Sequence, residues 1–315
     1  MSATPRPTRF FLRPAMVPLA VALLASLAAP LHPALDSLAH FRLHLAVLLA
    51  LACLSAWVNG LRRQALSGLA VLALAAVWTA PFLPGAAMSK AAAGPDGLRI
   101  VQFNAHSGNR AIATAAAHIR GFAPDVIIIQ EAKFGPGGLA DLLSDAWPVR
   151  ARCRYPIWRG GILVLSRWPT IDDPAHACSS DSRLAAVRLL VRGKPVTFAS
   201  LHLKWPWPIN QAGQIDRLAP ILAGLPHPLV LGGDFNAAPW SQAVSRVAAL
   251  TGTRIAPGLR PSWLFLKAPD ALRPAVGLPI DHVLVSEGIR IRTIRTGPSS
   301  GSDHLPVIAD LALRQ

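Results

Sequence analysis

The stretch from Leu229 to Asn236 reads Leu-Val-Leu-Gly-Gly-Asp-Phe-Asn, an apolar run that ends in two glycines and a polar pair. The glycines permit a tight turn and a close approach of the backbone. Because residues two apart in an extended segment point to the same side, Asp234 and Asn236 address one point while Phe235 turns into the core. Such a pair can orient an attacking water and donate a hydrogen bond to a phosphoryl oxygen. The same residues also suit an Asx-turn in which both side chains cap loop amides.

Two further polar side chains follow apolar runs earlier in the chain. Asn104 follows the run 98–103, and Glu131 follows the run 126–130, whose first four residues are apolar on both faces. That pattern predicts a strand buried on both sides. Carboxylate and amide oxygens are hard ligands, which suit Mg²⁺ better than zinc. The alternative for Glu131 is a solvated charge that pairs with Lys133.

Histidines and aspartates mark three more strand ends. His202 closes a predicted strand, where a histidine by itself is more often a satisfied polar residue than a catalyst. Asp281 opens another strand, and Asp303 and His304 precede the last one. An aspartate beside a histidine offers a metal ligand or proton holder next to a general base, and Asp281 can orient the imidazole of His304. His282 is expected to face the other way in a structural role.

In chain order these motifs are Asn, Gln-Glu, Gly-Ile-x-x-Leu-Ser-Arg, Leu-His, Gly-Asp-Phe-Asn, Asp-His and Ser-Asp-His. The ordered set, spread over residues 98–313, resembles the endonuclease/exonuclease/phosphatase family, whose members have a DNase I-like fold. The resemblance implies an α/β (α+β) four-layer sandwich in which two packed mixed β-sheets are flanked by helices. It also implies hydrolysis of ester bonds by a metal-dependent phosphodiesterase.

The resemblance further implies a role for each matched residue. Mg²⁺, with Mn²⁺ as a substitute, would be bound by Asn104, Glu131 and Asp303. Whether Asp234 or His304 takes the proton of the attacking water stays open. The implied catalytic residues are His304 with Asp281 as the acid–base pair, Asp234 and Asn236 for the water and the phosphate, and His202 for polarising a phosphoryl oxygen.

From Leu98 onward, short apolar runs alternate with turns and with amphipathic segments. Strands and helices mix without strict alternation, which indicates α+β or a layered α/β sandwich. Asn109 and Ser241 are suitable helix N-caps, and Pro220 is expected to kink or shorten its helix. The predicted strands are 98–103, 125–130, 161–166, 184–191, 195–202, 228–232, 281–286 and 306–313, and the predicted helices are 110–121, 138–146, 210–223 and 241–250.

Residues 1–89 are mostly Ala, Leu and Val, and their only acidic residue is Asp36. Three apolar stretches, at 15–31, 43–58 and 65–83, approach the length that crosses a bilayer. We therefore expect three parts: a membrane anchor of about three transmembrane helices at 1–84, a linker at 85–97 and a catalytic domain at 98–315.

Arginines set the expected orientation of this anchor. They precede the first apolar stretch and occupy the loop between the second and third, which the positive-inside rule places in the cytoplasm. Three crossings then put the catalytic domain outside, in the periplasm, and make the chain a multi-pass protein of the inner (plasma) membrane. A signal peptide cleaved near residues 26–28 is the alternative for the first stretch.

The three cysteines have different expected roles. Cys53 lies in a predicted span and suits a small apolar packing residue. Cys153 and Cys178 lie in the catalytic domain, where an oxidising periplasm would allow a disulfide. Sequence spacing does not decide whether their side chains meet.

The formal net charge of +15 favours anionic partners such as nucleic acid, phospholipid headgroups or phosphate esters. Trp205 and Trp207 lie shortly after His202 and suit base stacking, a lipid interface or cover for the core. Four arginines suit either a phosphate-binding ridge or a solvated edge that discourages strand pairing. They are Arg150, Arg152, Arg154 and Arg159.

These features predict a membrane-tethered, Mg²⁺-dependent hydrolase of phosphodiester bonds, with nucleic acid favoured as substrate. Tyr155 is the only tyrosine, and the sequence does not establish whether it corresponds to the active-site tyrosine that family nucleases often carry. The compact domain disfavours an abasic-site endonuclease. The alternatives are a phospholipid or sphingomyelin-type phosphodiesterase and a phosphoinositide-type phosphatase. A non-catalytic phosphate-binding membrane module is the alternative of another class.

Overall fold

A computed structural model describes residues 8–83, 97–156, 160–171, 178–181 and 183–313, with side chains from Ala15 onward. The strands in these ranges form two mixed sheets. They are β1 (Gly97–Asn104), β2 (Val126–Ala132), β3 (Val149–Arg154), β4 (Gly161–Ser166), β5 (Leu184–Val191), β6 (Lys194–His202), β7 (Leu229–Asp234), β8 (Thr253–Ile255), β9 (Asp281–Ser286), β10 (Ile289–Thr296) and β11 (Val307–Leu313).

Each sheet has one parallel pair at its centre. The first sheet has the order β10-β11-β1-β2-β4-β3, and the second has the order β5-β6-β7-β9-β8. In the first sheet β1 runs parallel to β2, and in the second β6 runs parallel to β7. Parallel neighbours bring the carboxyl ends of their strands to one edge, so each sheet delivers two strand ends to the same rim of the domain.

The inner faces of the two sheets pack on each other and form the main core. Ile100, Val126 and Val164 of the first sheet share one buried cluster with Phe198 and Val283 of the second. The outer faces are covered by helices, which gives four layers in the order helix, sheet, sheet, helix. These helices are α5 (Ile112–Phe122) and α6 (Leu139–Leu143) on the first sheet, and α7 (Gln211–Ala223) and α8 (Gln242–Leu250) on the second.

The predicted sandwich is confirmed, and the eight predicted strands and four predicted helices all occur within a few residues of their predicted bounds. Three strands were not predicted. β3 and β10 are edge strands that alternate Arg with apolar residues, and β8 has three residues, so none contains the apolar run on which the prediction relied.

Of the two helix-capping predictions, the one for Ser241 is confirmed and the one for Asn109 is wrong. Ser241 caps α8, since its side chain accepts from Val244 N. Asn109 does not cap α5, which begins after Ala111; its side chain accepts from Ala111 N and donates to Ser300 O, so it ties two loops together. Pro220 lies inside α7, which continues to Ala223.

Four helices precede the sandwich: α1 (Thr8–Leu27), α2 (Pro33–Ala39), α3 (Arg42–Val58) and α4 (Arg62–Thr79). By length and hydropathy the segment Arg62–Phe82 can cross a membrane. Helices α2 and α3 meet the same test only together, and they are bent by 63° at their junction. The apolar part of α1, Ala15–Leu27, is shorter. Three crossings therefore remain a prediction.

The helices contact the second sheet's side of the sandwich directly. Both carboxylate oxygens of Asp36 accept from the first backbone amides of α8, Gln242 N at 2.7 Å and Ala243 N at 3.1 Å. A carboxylate at a helix N-terminus satisfies free amides and complements the helix dipole. Trp240 donates its indole N–H to Ala39 O at 2.7 Å and packs against Phe82. Three points of attachment thus hold the helices on the loop that follows Asn236.

The cysteines behave as two separate sets. Cys153 and Cys178 form a disulfide with a Cα–Cα separation of 5.6 Å, which confirms the pairing that spacing alone left open. Cys53 is buried between α3 and α4, where it packs against Gly68. Its predicted role as a small packing residue is confirmed.

Candidate active site

The predicted polar side chains converge at the rim where the strands of both sheets end. In the second sheet His202, Asp234 and Asp281 lie side by side on β6, β7 and β9, because His202 pairs with Asp234 and Asp234 pairs with Asp281. In the first sheet Asn104 ends β1, and Glu131 lies near the end of β2. The site therefore spans the gap between the two sheets.

Asp234 connects the groups contributed by the two sheets. Its Oδ2 accepts from Asn104 Nδ2 at 2.9 Å and from Asn236 Nδ2 at 3.2 Å, and its Oδ1 accepts from Asn236 N at 2.8 Å. Oδ2 also lies 3.6 Å from His202 Nε2 and 3.8 Å from His304 Nε2. Burial raises the pKa of Asp234 to about 7, against the lowering effect of His304.

His304 and Asp281 form a buried hydrogen-bonded pair. Nδ1 of His304 lies 2.7 Å from Asp281 Oδ2, and Asp281 Oδ1 accepts from Gln102 Nε2 at 2.9 Å. Burial lowers the pKa of His304, but the carboxylates of Asp281 and Asp234 outweigh it and raise that pKa to about 10. At neutral pH His304 is thus an imidazolium held between two carboxylates.

His202 is held by two donors that sequence reasoning missed. Its Nδ1 lies 2.7 Å from the Tyr155 hydroxyl and 3.0 Å from Arg183 Nη1, and the Arg183 guanidinium stacks on the Tyr155 ring at 4.3 Å. Burial, Arg183 and His304 together hold the pKa of His202 well below its ordinary value. Because Nδ1 of the neutral ring accepts, Nε2 carries the hydrogen. That N–H points toward Asp234 Oδ2 and Glu131 Oε1, at 3.6 and 3.9 Å.

Signals for these two residues were weak. Tyr155 follows the arginine-rich edge strand β3, which had no apolar run, and Arg183 is one of many arginines in the chain. Only the pairing of β5 with β6 brings Arg183 beside His202. Both side chains line the pocket described below, so they belong to the site.

The carboxylates of Glu131 and Asp303 are the more exposed acids of the site, with 27% and 20% of their side chains accessible. Glu131 accepts from Ser107 N at 3.2 Å, and Asp303 accepts from the Trp263 indole N–H at 3.0 Å. His106, which was also not predicted, places Nδ1 3.6 Å from Asp303 Oδ1 and 4.0 Å from Glu131 Oε2. Both carboxylates thus lie beside the His106 imidazole, in the more open part of the site.

Among the described residues, one group of three acidic and histidine side chains has its ligand atoms close enough to hold a divalent ion. Asp234, Asp281 and His304 offer ligand atoms within 4.8 Å of one another. An imidazolium at His304 opposes a cation there, and Asp281 is already hydrogen-bonded to it. Glu131 and Asp303 offer hard oxygens in a wetter position, which is the donor chemistry that suits Mg²⁺ or Mn²⁺.

Beside these groups lies a pocket of about 330 Å³. Its lining combines polar groups of the site with residues of the loop 203–209 that follows β6. The lining comprises Ser107, Glu131, Tyr155, Gly160, Arg183, His202, Leu203, Lys204, Trp205, Ile209 and Asn236. A small polar group with an apolar attachment fits this division of the pocket.

The predicted arginine cluster lies on the edge strand β3. Arg152 and Arg154 share its exposed face and stack on Phe134, at 5.3 and 5.1 Å from the ring centroid. Arg150 is half-buried and donates to Ser166 O at 3.2 Å. Arg159 lies outside the described residues. His282 faces away from the site, as predicted, and bonds to Ala237 O at 2.7 Å.

The two-sheet sandwich with this polar rim defines the phosphoesterase scaffold of DNase I-like proteins. The sequence profile of the Endonuclease/Exonuclease/phosphatase family matches residues 101–304, and the chain therefore belongs to that family. Its members are hydrolases that act on phosphodiester bonds. No curated protein matches the sequence.

Solved structures with this fold come from distant organisms. An endonuclease/exonuclease/phosphatase from Beutenbergia cavernae has a TM-score of 0.55 and 22% identity, over 70% of this chain and 72% of that one. The human Nocturnin catalytic domain has a TM-score of 0.52 and 16% identity, over 70% and 96%. An AP endonuclease from Archaeoglobus fulgidus has a TM-score of 0.51 and 16% identity, over 67% and 98%. The TM-scores establish a shared fold, and at identities this low the comparison establishes the fold alone.

Proposed function

We propose that this chain hydrolyses phosphoesters by metal-assisted attack of water. The observation that carries the proposal is the position of Asp234. Its carboxylate accepts hydrogen bonds from Asn104, at the end of β1 in the first sheet, and from Asn236, just after β7 of the second sheet. The same carboxylate lies within 4 Å of the imidazoles of His202 and His304. The Asp234 carboxylate thus lies next to the side chains that can accept a proton, donate a hydrogen bond or bind a metal during phosphoester hydrolysis.

Asp234 is the proposed general base. Its pKa, raised to about 7 by burial, suits a group that must accept a proton from water near neutral pH. His304 is protonated and hydrogen-bonded to Asp281. We propose that it donates a hydrogen bond to a phosphoryl oxygen and gives a proton to the leaving oxygen. Of the two candidates that the sequence left open, we assign the base to Asp234, because the neighbouring carboxylates raise the pKa of His304 to about 10 and favour its protonated form.

The remaining polar groups hold these two in position or bind the phosphate. His202 directs its Nε2–H into the site, where it can donate to a phosphoryl oxygen. The side-chain amide of Asn236 already donates to Leu203 O and Asp234, so we assign it to positioning Asp234. Asn104 likewise turns its amide hydrogens toward Glu131 and Asp234.

Glu131 and Asp303 are the proposed ligands of a Mg²⁺ or Mn²⁺ ion, since both offer hard oxygens that lie beside His106 and remain partly open. When bound, that ion would act as a Lewis acid that stabilises the negative charge developing on the phosphoryl group.

Membrane attachment through residues 1–84 is part of the proposal, with the catalytic domain in the periplasm. The hydropathy of Arg62–Phe82 and the asymmetry of the arginines support it. The disulfide between Cys153 and Cys178 supports an oxidising compartment. Alkaline extraction of membranes and a reporter fused to the C-terminus, active only in the periplasm, test both statements.

The central test is hydrolysis of bis(p-nitrophenyl) phosphate by the purified full chain with Mg²⁺ or Mn²⁺. Asp234→Asn is expected to lower turnover by about 10²-fold or more, because it removes the base. Asp216→Asn is the matched control, since Asp216 is exposed and pairs with Arg246 outside the site. Absence of any metal-dependent hydrolysis would contradict the proposal and favour the phosphate-binding module.

A further inference from the structure

Two loops on one side of the pocket expose large apolar side chains. The loop after β6 exposes 48% of Trp205, 54% of Trp207 and 56% of Ile209, and a second loop exposes 59% of Phe265 and 53% of Leu266. We call these five residues the apolar rim. Exposed apolar side chains grouped at the mouth of a site mark a surface that meets an apolar partner.

The rim is attached rigidly to the active site. The Trp205 ring packs edge-on against Trp263, with 5.6 Å between ring centroids, and this contact joins the two loops. Trp263 donates its indole N–H to the Asp303 carboxylate, and Leu264 N donates to Asp303 O at 2.9 Å. Whatever the rim binds is therefore held at a fixed distance from the proposed metal ligands.

The rim is also continuous with the N-terminal helices. The Ser37 hydroxyl of α2 donates to Trp207 O at 3.2 Å. Trp207 and the segment 29–33 both line a cavity of about 310 Å³. The end of α1, the start of α3 and the end of α4 all lie at this face, because Ala29, Leu43 and Phe82 pack on Trp240 and its neighbours.

The helices themselves present apolar sides to the surroundings. Large side chains that are about half exposed or more occur along α1, α3 and α4. They include Val17, Val21, Val47, Leu48, Leu51, Leu54, Leu66, Val77 and Trp78. Helices with such faces in a bilayer would have one end at its surface, and that end is the one that carries the catalytic domain.

We propose that the apolar rim rests on the bilayer that holds the N-terminal helices, and that the substrate is a phospholipid whose headgroup enters the pocket from that surface. This inference rests on the proposed phosphoester hydrolysis and membrane attachment. Water adds across one P–O ester bond of the headgroup, which yields a phosphomonoester and an alcohol. The apolar wall at Leu203 and Ile209 receives the part of the lipid next to the phosphate.

The chemistry of the rim favours a lipid over a nucleic acid. Tryptophan stacks on bases, but Ile209 and Leu266 offer no ring, and a nucleic acid would leave them facing charged backbone. Tryptophans at a bilayer surface place their indoles among the headgroups, as interfacial belts do. Lys204 and Lys267 adjoin the rim and complement anionic headgroups. The sequence pattern predicts nucleic acid as the favoured substrate, whereas the exposed side chains of the apolar rim lead us to propose a phospholipid.

The first experiment measures the position of the rim without using activity. Leu266→Cys is labelled with bimane in the full chain, in a Cys53→Ala background, and the protein is reconstituted in nanodiscs. We expect the bimane emission to shift to the blue and brominated lipids to quench it. Leu142→Cys is the matched control, since Leu142 is an exposed leucine on α6, which covers the other sheet. Equal quenching at both positions, or none at Leu266, would overturn the inference.

The second experiment measures substrate preference with the full chain in nanodiscs of phosphatidylglycerol, phosphatidylethanolamine and sphingomyelin. A triple variant, Trp207→Ser with Phe265→Ser and Leu266→Ser, is expected to hydrolyse these lipids at least tenfold more slowly. Its hydrolysis of bis(p-nitrophenyl) phosphate should stay within twofold of wild type. Leu142→Ser and Leu190→Ser, which change exposed leucines elsewhere, should alter neither reaction.

The outcomes separate this inference from the proposed function. Hydrolysis of bis(p-nitrophenyl) phosphate without hydrolysis of any lipid overturns the inference and leaves the function standing. Hydrolysis of duplex DNA at a rate that the triple variant does not change also overturns it. Failure of the wild-type chain to hydrolyse the soluble ester, the lipids and the DNA overturns both.

Discussion

The Tyr155 hydroxyl lies 2.7 Å from Nδ1 of His202, and this contact fixes which nitrogen of the imidazole faces the site. Burial raises the pKa of Tyr155, so the hydroxyl keeps its hydrogen and donates it. Arg183 supplies the second donor at 3.0 Å. A histidine held in this way is a neutral donor, whereas a carboxylate partner would have made it a cation.

Tyr155→Phe should therefore lower kcat by about tenfold, the effect of one buried hydrogen bond. Arg183→Met should act similarly, and the double variant should lose more than either single variant, because His202 then has no donor at Nδ1. Steady-state kinetics with a soluble phosphodiester measure this. Thermal unfolding serves as the control, since Tyr155 is buried. Full activity in the double variant would refute the assigned tautomer.

The pH profile should report the two coupled groups of the site. Asp234, with a pKa raised to about 7, must be ionised to accept a proton, so activity falls as the pH drops below about 7. His304, with a pKa raised to about 10, must be protonated to donate, so activity falls as the pH rises toward that value. Because Asp234 and His304 interact strongly, the two apparent pKa values of the profile describe the pair and not either residue alone.

Asp281→Asn should shift the alkaline limb to lower pH. The substitution removes a carboxylate that raises the pKa of His304, and the imidazole then loses its proton earlier. Rates of ester hydrolysis between pH 5 and 9.5 in both proteins give the comparison. An alkaline limb that stays in place or moves upward would show that it does not report the protonation of His304.

Chelation with EDTA should abolish hydrolysis, and Mg²⁺ or Mn²⁺ should restore it. Glu131→Gln and Asp303→Asn should each raise the metal concentration needed for half-maximal activity by about 10-fold or more, because each removes one charged oxygen ligand. Calorimetric titration of Mn²⁺ gives a readout that does not depend on turnover. Unchanged metal affinity in both variants would exclude this pair as the ligands and point to Asp234 and Asp281.

Reduction of the disulfide should destabilise the catalytic domain. Cys153 and Cys178 close a loop of 25 residues, and a loop of about that length contributes roughly 3 kcal/mol by chain entropy. Thermal unfolding with and without dithiothreitol measures the effect in the wild type. Cys153→Ser with Cys178→Ser should show the lower melting temperature and no response to the reductant. A response in that variant would have to come from Cys53.

The sandwich could be predicted because its central strands are apolar on both faces. β2, β4 and β7 are buried along almost their whole length, and such runs stand out in a sequence. Edge strands β3 and β10 have one solvated face, so their arginines conceal them. The prediction that Asn109 caps a helix was wrong for a different reason. Its side-chain amide donates a hydrogen bond to Ser300 O, and Ser300 lies nearly 200 positions away in the chain.

The eight predicted site residues follow a similar rule. Each ends or adjoins a predicted strand, and parallel pairing in both sheets brings those ends to one rim. Their motif order marks them in the sequence. Tyr155, Arg183 and His106 carry no such mark, because an edge strand or a loop delivers each of them, and their contacts depend on how the loops fold back.

The sequence by itself determined the layered class of the fold, the set of acids, amides and histidines, and the apolar character of the first 84 residues, since all three depend on local residue type and spacing. Only the tertiary structure decided which nitrogen of His202 faces the site, how burial and neighbouring charges shift the pKa values of Asp234 and His304, and that the apolar rim adjoins the ends of the N-terminal helices. Those properties depend on distances between side chains far apart in the chain, and pKa values and hydrogen bonds respond to a few ångströms of separation.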